Sequence, residues 1–207
     1  FELMGKFIVI EGPDGTGKST VINGLKETLP KDLKVKYFRE PGGSYVGEKI
    51  RNILLDNDTV IEPETEALLF AAMRCENYSM LKKDLPKYDL IIADRFLPSS
   101  IAYQGGGLAL GMERVEDLND FCLHGYRPDL TIYLMLDFKE GLRRIERERG
   151  FDRLEMRNES FHHAVFRGYE KLSRGRNSKV VNAAMNKDKV LEEVRQYILD
   201  LIKEEEA

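Results

Sequence analysis

The sequence predicts an α/β fold: a three-layer α/β/α sandwich around a five-stranded parallel sheet. Three features carry that expectation. Short β-type apolar runs alternate with helix-like segments, a glycine-rich turn follows the first run, and charged residues sit at the exits of later runs. Such alternation builds a parallel sheet with helices on both faces, and ligands bind beyond the strands' carboxyl ends. The strands are expected at 7–10, 33–38, 88–93, 130–136 and 179–181. Helices are expected at 18–29, 46–56, 64–85, 98–102, 115–124, 139–149, 159–174 and 187–204.

The first exit is the most informative. Gly12-Pro13-Asp14-Gly15-Thr16-Gly17-Lys18-Ser19-Thr20 follows the run Phe7-Ile8-Val9-Ile10. Glycine, four residues, then Gly-Lys-Ser after a strand is a P-loop, so the sandwich is of the P-loop NTPase kind. Glycines let backbone N–H groups converge on phosphate oxygens, and the helix opening at Lys18 adds its N-terminal partial charge. Lys18 would reach the outer phosphates, and the Ser19 hydroxyl would sit on Mg2+.

After the second strand, Arg39-Glu40-Pro41-Gly42-Gly43-Ser44 forms a permissive turn, with Arg51 on the next helix. It reads either as a simple connection or as a two-arginine grip on a second phosphate. In the helix that follows, Phe70 reads as core, while Arg74 shares its face among small apolar neighbours. Together they could stack on and hydrogen-bond a nucleobase. The third strand ends at Asp94-Arg95, where a P-loop protein places a second acid to support the metal. Ser99, Ser100, Tyr103 and Gln104 either cap the chain or line a pocket. Beyond the fourth strand, residues 143–157 carry Arg143, Arg144, Arg147, Arg149 and Arg153 around Gly150. This is either a solvated helix face or an arginine-rich lid.

The chain of 207 residues suits a single domain over 4–207, and Phe1-Glu2-Leu3 before Met4 reads as an expression-vector remnant. A net charge of −4 argues against a nucleic-acid-binding surface. No apolar run has membrane-spanning length, so no membrane association is expected. Cys75 and Cys122 lack metal-ligand spacing and read as two structural thiols in a reducing cytoplasm. His124, His162 and His163 also lack metal spacing and read as structural or surface groups.

Taken together these residues resemble the thymidylate kinase family, which moves the γ-phosphoryl of ATP onto dTMP. The resemblance rests on Glu11-Gly12 through Ser19, Arg39-Glu40-Pro41-Gly42-Gly43, Gly47-Glu48 with Ile50-Arg51, and Leu69-Phe70-Ala71-Ala72 with Arg74. Asp94-Arg95-Phe96, Ser99 through Gln104, Arg127-Pro128-Asp129-Leu130-Thr131 and Asp152-Arg153-Leu154-Glu155 extend it. It implies an ATP site formed by Gly12 through Thr20 with Arg144, and a Mg2+ site at Ser19 and Asp94. It implies a dTMP site of Asp14, Arg39, Arg51, Phe70, Arg74, Arg95, Ser100, Tyr103 and Gln104. Phe70 would stack on thymine, Arg74, Ser100 and Gln104 would bond its edge, and Tyr103 would crowd a 2′-hydroxyl. Tyr169 and Glu170 would lie near the sugar. With no basic residue among Pro13, Asp14, Gly15 and Thr16, the chain resembles the bacterial lid-arginine type. The catalytic set would be Asp14, Lys18 and Arg95 with Arg147 or Arg149. The family is commonly homodimeric.

Three stretches depart from the family pattern. Ser44-Tyr45-Val46 stands where Thr-Pro-Leu is common, so that loop is expected to sit differently. Met73 replaces an Asp that would orient Arg74, and Cys75-Glu76-Asn77-Tyr78 replaces Ala-Gln-His-Val. Two alternatives are a kinase for another (deoxy)nucleoside monophosphate or a deoxynucleoside, and a catalytically silent nucleotide-binding regulator. Arg39 with Arg95 speaks against a neutral acceptor, and Lys18, Asp94 and the lid arginines speak against silence.

Overall fold

The structure is a computed structural model and describes residues 5–206, with side chains to 203. The proposed remnant at 1–3 lies outside the described residues. The elements run β1 (Lys6–Glu11), α1 (Lys18–Thr28), β2 (Val35–Arg39), α2 (Tyr45–Leu55), α3 (Pro63–Asp84), β3 (Leu90–Asp94), α4 (Leu97–Ser100) and α5 (Met112–Leu123). They continue through β4 (Leu130–Met135), α6 (Phe138–Glu148), α7 (Glu159–Leu172), β5 (Ser178–Asn182) and α8 (Lys187–Glu206). All five strands pair in parallel in the order β2-β3-β1-β4-β5. The expected strands and helices are all present, with ends shifted by a few residues.

Burial on both faces explains the strand composition. In β1, Ile8 and Ile10 join a core cluster with Val21 and Leu25 of α1 and Val194 and Ile198 of α8. Phe7 and Val9 point the other way, toward Leu81 of α3, Leu97 of α4 and Leu123 of α5. Each fully buried aliphatic side chain stabilises the fold by roughly 1.5–3 kcal/mol. Register then places the exits side by side: Ile10 is opposite Asp94, and Asp94 is opposite Arg39. The loops after β1, β2 and β3 therefore emerge along one edge.

One element differs in kind from the expectation. Residues 98–102 were expected as a short helix, but α4 runs into a π-helical turn over Ile101–Gly107. There the Leu108 N–H donates to the Tyr103 carbonyl at 2.9 Å. The turn packs so closely on α7 that a Cβ at Gly107 would lie 2.5 Å from the Phe161 ring. Single π turns are frequent at functional sites, because they redirect side chains.

The cysteines also differ from the expected pair of thiols. Cys75 on α3 and Cys122 on α5 are joined as a disulfide, with their Cα atoms 5.3 Å apart. The sequence separation of 47 residues hid this proximity, because α3 and α5 become neighbours only through the sheet. A cross-link over that spacing restricts the unfolded chain by about 4 kcal/mol. Reductant should lower the thermal midpoint by on the order of 10 °C. An unchanged midpoint, with two thiols titrating before reduction, would show that the link does not form in solution.

Candidate active site

The aligned strand exits open into a cleft of about 850 Å3. Its floor is the P-loop, with Asp14 through Thr20 along the wall. Glycine is required at Gly12, whose φ is +143° and whose added Cβ would meet the Leu134 carbonyl oxygen at 2.2 Å. It is required again at Gly15, which passes against the Gly141 carbonyl of α6. Gly17 caps α1 without any side-chain hydrogen bond, so the first-turn N–H groups remain available to an anion. Lys18 is buried and donates to the carbonyls of Gly12 (3.0 Å) and Pro13 (2.8 Å). Burial first, and the Arg95 guanidinium second, lower its pKa to about 8.

The corner after β3 is set by Glu11, a carboxylate with no solvent exposure. Its Oε1 accepts from the backbone N–H groups of Phe96 (2.8 Å) and Ser99 (3.1 Å). Its Oε2 accepts from the Ser99 hydroxyl (2.8 Å) and the Tyr169 hydroxyl (2.9 Å). Arg95 turns out of this corner with φ +70°. Its Nη1 donates to the Gly12 carbonyl, Ser99 and Tyr169, and its Nη2 donates to Asp14 Oδ1 (2.8 Å) and Tyr103 (3.3 Å). Burial alone would raise the Asp14 pKa, but Arg95 and Lys18 outweigh it and hold the carboxyl below the ordinary range. Asp14 Oδ2 is buried without a partner.

The loop after β2 brings Arg39 and Arg51 to the cleft. Arg51 Nη1 donates to the Pro41 carbonyl (2.7 Å), and Arg39 pairs with Glu48 (2.9 Å). Burial, and then the nearby Arg39 charge, lower the Arg51 pKa. Two cations held together beside Arg95 leave a place suited to an anion. The departures from the family pattern compensate one another. Asn77 accepts from the Ser44 N–H (3.0 Å) and donates to Glu40 and the Gly42 carbonyl, while Ser44 Oγ caps α2.

Arg74 is held inside the wall of the cleft. It is 1 % exposed, and all five of its N–H groups are engaged. Glu40 takes Nε and Nη2, the Phe96 carbonyl takes a second Nη2 proton, and Ser100 and Asn119 take Nη1. Neither Arg74 nor Ser100 is among the lining residues, so in this conformation they brace the wall. The absence of Asp at 73 does not leave Arg74 unoriented, since Glu40 and Asn119 hold it. Phe70, Tyr103 and Gln104 do line the cleft, and Phe70 is also core, packed with Ile50, Leu54 and Met73.

The arginine-rich segment closes the far side. Arg144 and Arg149 line the cleft, whereas Arg147 is exposed on the flank of α6 and is not among the lining residues. Arg149 is gripped by Glu155 through two hydrogen bonds, at 3.0 and 2.6 Å. Arg153 points away from the phosphate region, to Glu66 (2.7 Å) and the Leu54 carbonyl. Ser19 and Asp94 both line the cleft. Among the described residues no cluster of three His, Cys, Asp or Glu could hold a metal alone. Sequence reasoning gave no role to Glu11, Glu40, Glu66, Asn119 or Glu155. For the four glutamates the signal was an acid beside an apolar or arginine-bearing motif, without any indication of its partner, and Asn119 carried no signal.

Comparison with known proteins adds a family to this geometry. A family model described as thymidylate kinase matches residues 10–203. A thymidylate kinase of Lactobacillus delbrueckii subsp. bulgaricus is 43% identical over 197 residues, covering 91% of this chain and 93% of the relative. One from Staphylococcus epidermidis is 40% identical over 206 residues, covering 97% of this chain and all (100%) of the relative. The crystal structure of thymidylate kinase from Ehrlichia chaffeensis superposes with a TM-score of 0.76 at 28% identity, covering 95% of this chain and 99% of that one.

A polyphosphate seated against the buried ammonium of Lys18 would bind in a pH-linked way. An anion placed against Lys18 raises its pKa from the ligand-free value of about 8. The complex therefore holds more protons than the free protein above that pH. Affinity for a polyphosphate should fall as pH rises through about 8, with net proton uptake. Titration calorimetry in buffers of different ionisation enthalpy reads this uptake. A pH-independent affinity between 7 and roughly 9.5 would remove the assignment.

Proposed function

The chain belongs to the thymidylate kinase family, and we propose that it transfers the γ-phosphoryl group of ATP to dTMP, giving ADP and dTDP, one phosphoryl step from dTTP. The observation that carries this reading is one cleft holding a P-loop and, across Asp14, three arginines below an aromatic and amide wall. Residues 4–207 form the kinase domain on this reading, with 143–157 as its lid.

ATP would lie with its phosphates over Gly12 through Thr20, its outer phosphates on Lys18 and the N-terminus of α1. Arg39, Arg51 and Arg95 would hold the dTMP phosphate, with Asp14 orienting Arg95. Phe70 would stack on thymine, Gln104 would bond its edge, and Tyr103 would lie against the deoxyribose. Arg74 and Ser100 would act through the wall they brace. A dTMP phosphate oxygen attacks the γ-phosphorus in line, and the bond to the ADP oxygen breaks. No covalent enzyme intermediate is needed, so catalysis rests on positioning and charge neutralisation.

The oxygens of Ser19 and Asp94, with the unpartnered Asp14 Oδ2, suit Mg2+, which keeps few protein ligands and several phosphate oxygens and waters. Bound there, Mg2+ would neutralise charge on the β- and γ-phosphates. Arg149 is the lid arginine best placed to exchange Glu155 for phosphate, and Arg144 would assist. Leu68 on α3 (56 % exposed) and Phe121 on α5 (83 % exposed) support a homodimer through those helices. No helix among the described residues is long and apolar enough to cross a membrane. We place the enzyme in the cytoplasm, where its nucleotide substrates are found and where reducing conditions oppose the Cys75–Cys122 link.

ATP consumption with Mg2+ should be fastest with dTMP in a panel containing dUMP, dCMP, dGMP, AMP and thymidine. Another preferred monophosphate would keep the phosphate chemistry and discard the thymine wall. No turnover with any acceptor would overturn the kinase reading. Arg149→Ala should lower kcat by about 10²- to 10³-fold, while Arg147→Ala should change it less than about threefold. The reverse ranking in steady-state kinetics would reassign the lid arginine.

A further inference from the structure

Glu66, in the first turn of α3, is completely buried and takes no part in the phosphate chemistry. Its Oε2 accepts from Arg153 Nη2 at 2.7 Å and Arg157 Nη2 at 2.6 Å, both from the lid segment. Its Oε1 accepts from Gln104 Nε2 at 3.0 Å. A carboxylate facing two guanidinium groups can only accept hydrogen bonds, so the Gln104 atom turned toward it must be the amide nitrogen. The amide carbonyl is thereby forced the other way. Gln104 Oε1 is buried without a partner, and Gln104 lines the cleft with Phe70 and Tyr103. A buried carbonyl left in that state calls for a donor from the ligand.

We propose that Glu66 is a positioning residue for base selection: it locks Gln104 with its carbonyl toward the base, so that the pocket takes a pyrimidine presenting an N3–H and rejects one presenting a bare N3. The inference rests on the dTMP reading of the cleft and deepens it. Thymine and uracil carry the N3–H, whereas cytosine offers an acceptor at the same place, and two facing acceptors leave both unsatisfied. Glu66 also joins the base wall to the lid, because its other oxygen anchors Arg153 and Arg157.

The test is Glu66→Gln, with kcat/KM measured for dTMP and dCMP. The two arginines keep the remaining carbonyl oxygen of the new side chain facing them, so its NH2 group faces position 104. Gln104 must then turn its carbonyl to accept from that NH2 and present its own NH2 to the base. The dCMP to dTMP ratio of kcat/KM should rise at least 10-fold, mostly through KM, with KM for ATP unchanged. Parallel loss for both nucleotides, with the ratio unaltered, would reduce Glu66 to a structural anchor and overturn the proposal. If the variant does not fold, N3-methylated dTMP tests the unaltered enzyme. Binding at least 100-fold weaker than dTMP is expected, and equal binding overturns the lock. Failure of the unaltered enzyme to use dTMP at all would instead sink the function on which the inference rests.

Discussion

The buried carboxylate of Glu11 fixes the relation between the P-loop and everything facing it. It sits at the end of the central strand, where a charge without solvent is costly unless fully hydrogen-bonded. The donors that satisfy it come from the corner after β3, from Ser99 on α4 and from Tyr169 on α7. One side chain thus joins β1 to the β3–α4 corner and to α7 at the mouth of the sheet. The corner it stabilises turns Arg95 back across Gly12 toward Asp14. If that corner moved by an ångström, the donor and acceptor halves of the cleft would lose their alignment, and alignment is most of what phosphoryl transfer requires of a protein.

The same device recurs around the cleft. Glu40 holds Arg74, Glu155 holds Arg149, and Glu66 holds Gln104 with Arg153 and Arg157. Each acid is buried and satisfied by several donors, so each constrains geometry more than it contributes net stability. Arginine suits this arrangement because its planar fork can bond an internal carboxylate on one side and remain directed by it. The wall consequently has little rotational freedom before any ligand arrives. That reduces the ordering cost at binding.

Much of this was legible in the sequence, and the division follows sequence distance. The P-loop, the strand periodicity and the strand-exit residues are local patterns, and they placed Lys18, Arg39, Arg51, Asp94 and Arg95 along one edge. The carboxylate network was not legible. Glu11 meets Ser99 across 88 residues and Glu66 meets Gln104 across 38, and nothing local names those partners. In the sequence Arg74 stands as an odd charge on the Phe70 face among small apolar neighbours, and the Glu40 and Asn119 that hold it in the wall lie 34 and 45 residues away. Arg147 and Arg149 looked equivalent until the end of α6 at Glu148 put only Arg149 on the cleft side. The π turn was hidden because its glycines signal close packing without saying which helix packs there.

Before substrates bind, charges in this cleft already have partners: Lys18 has P-loop carbonyls and Arg149 has Glu155. If phosphates bind at these two residues as proposed, they would exchange one set of hydrogen bonds for another, and the net gain would be the difference between them. Neutral carbonyls are weaker acceptors than phosphate oxygens, so Lys18 would gain in the exchange. Arg149 would give up a carboxylate, an acceptor of comparable charge, and would gain less. On the proposed reading, the P-loop would supply much of the affinity for the donor, while residues 143–157 would contribute mainly when charge builds in the transferring group. An arginine that gains little from the bound substrate and more from the transition state lowers the barrier without deepening the well before it.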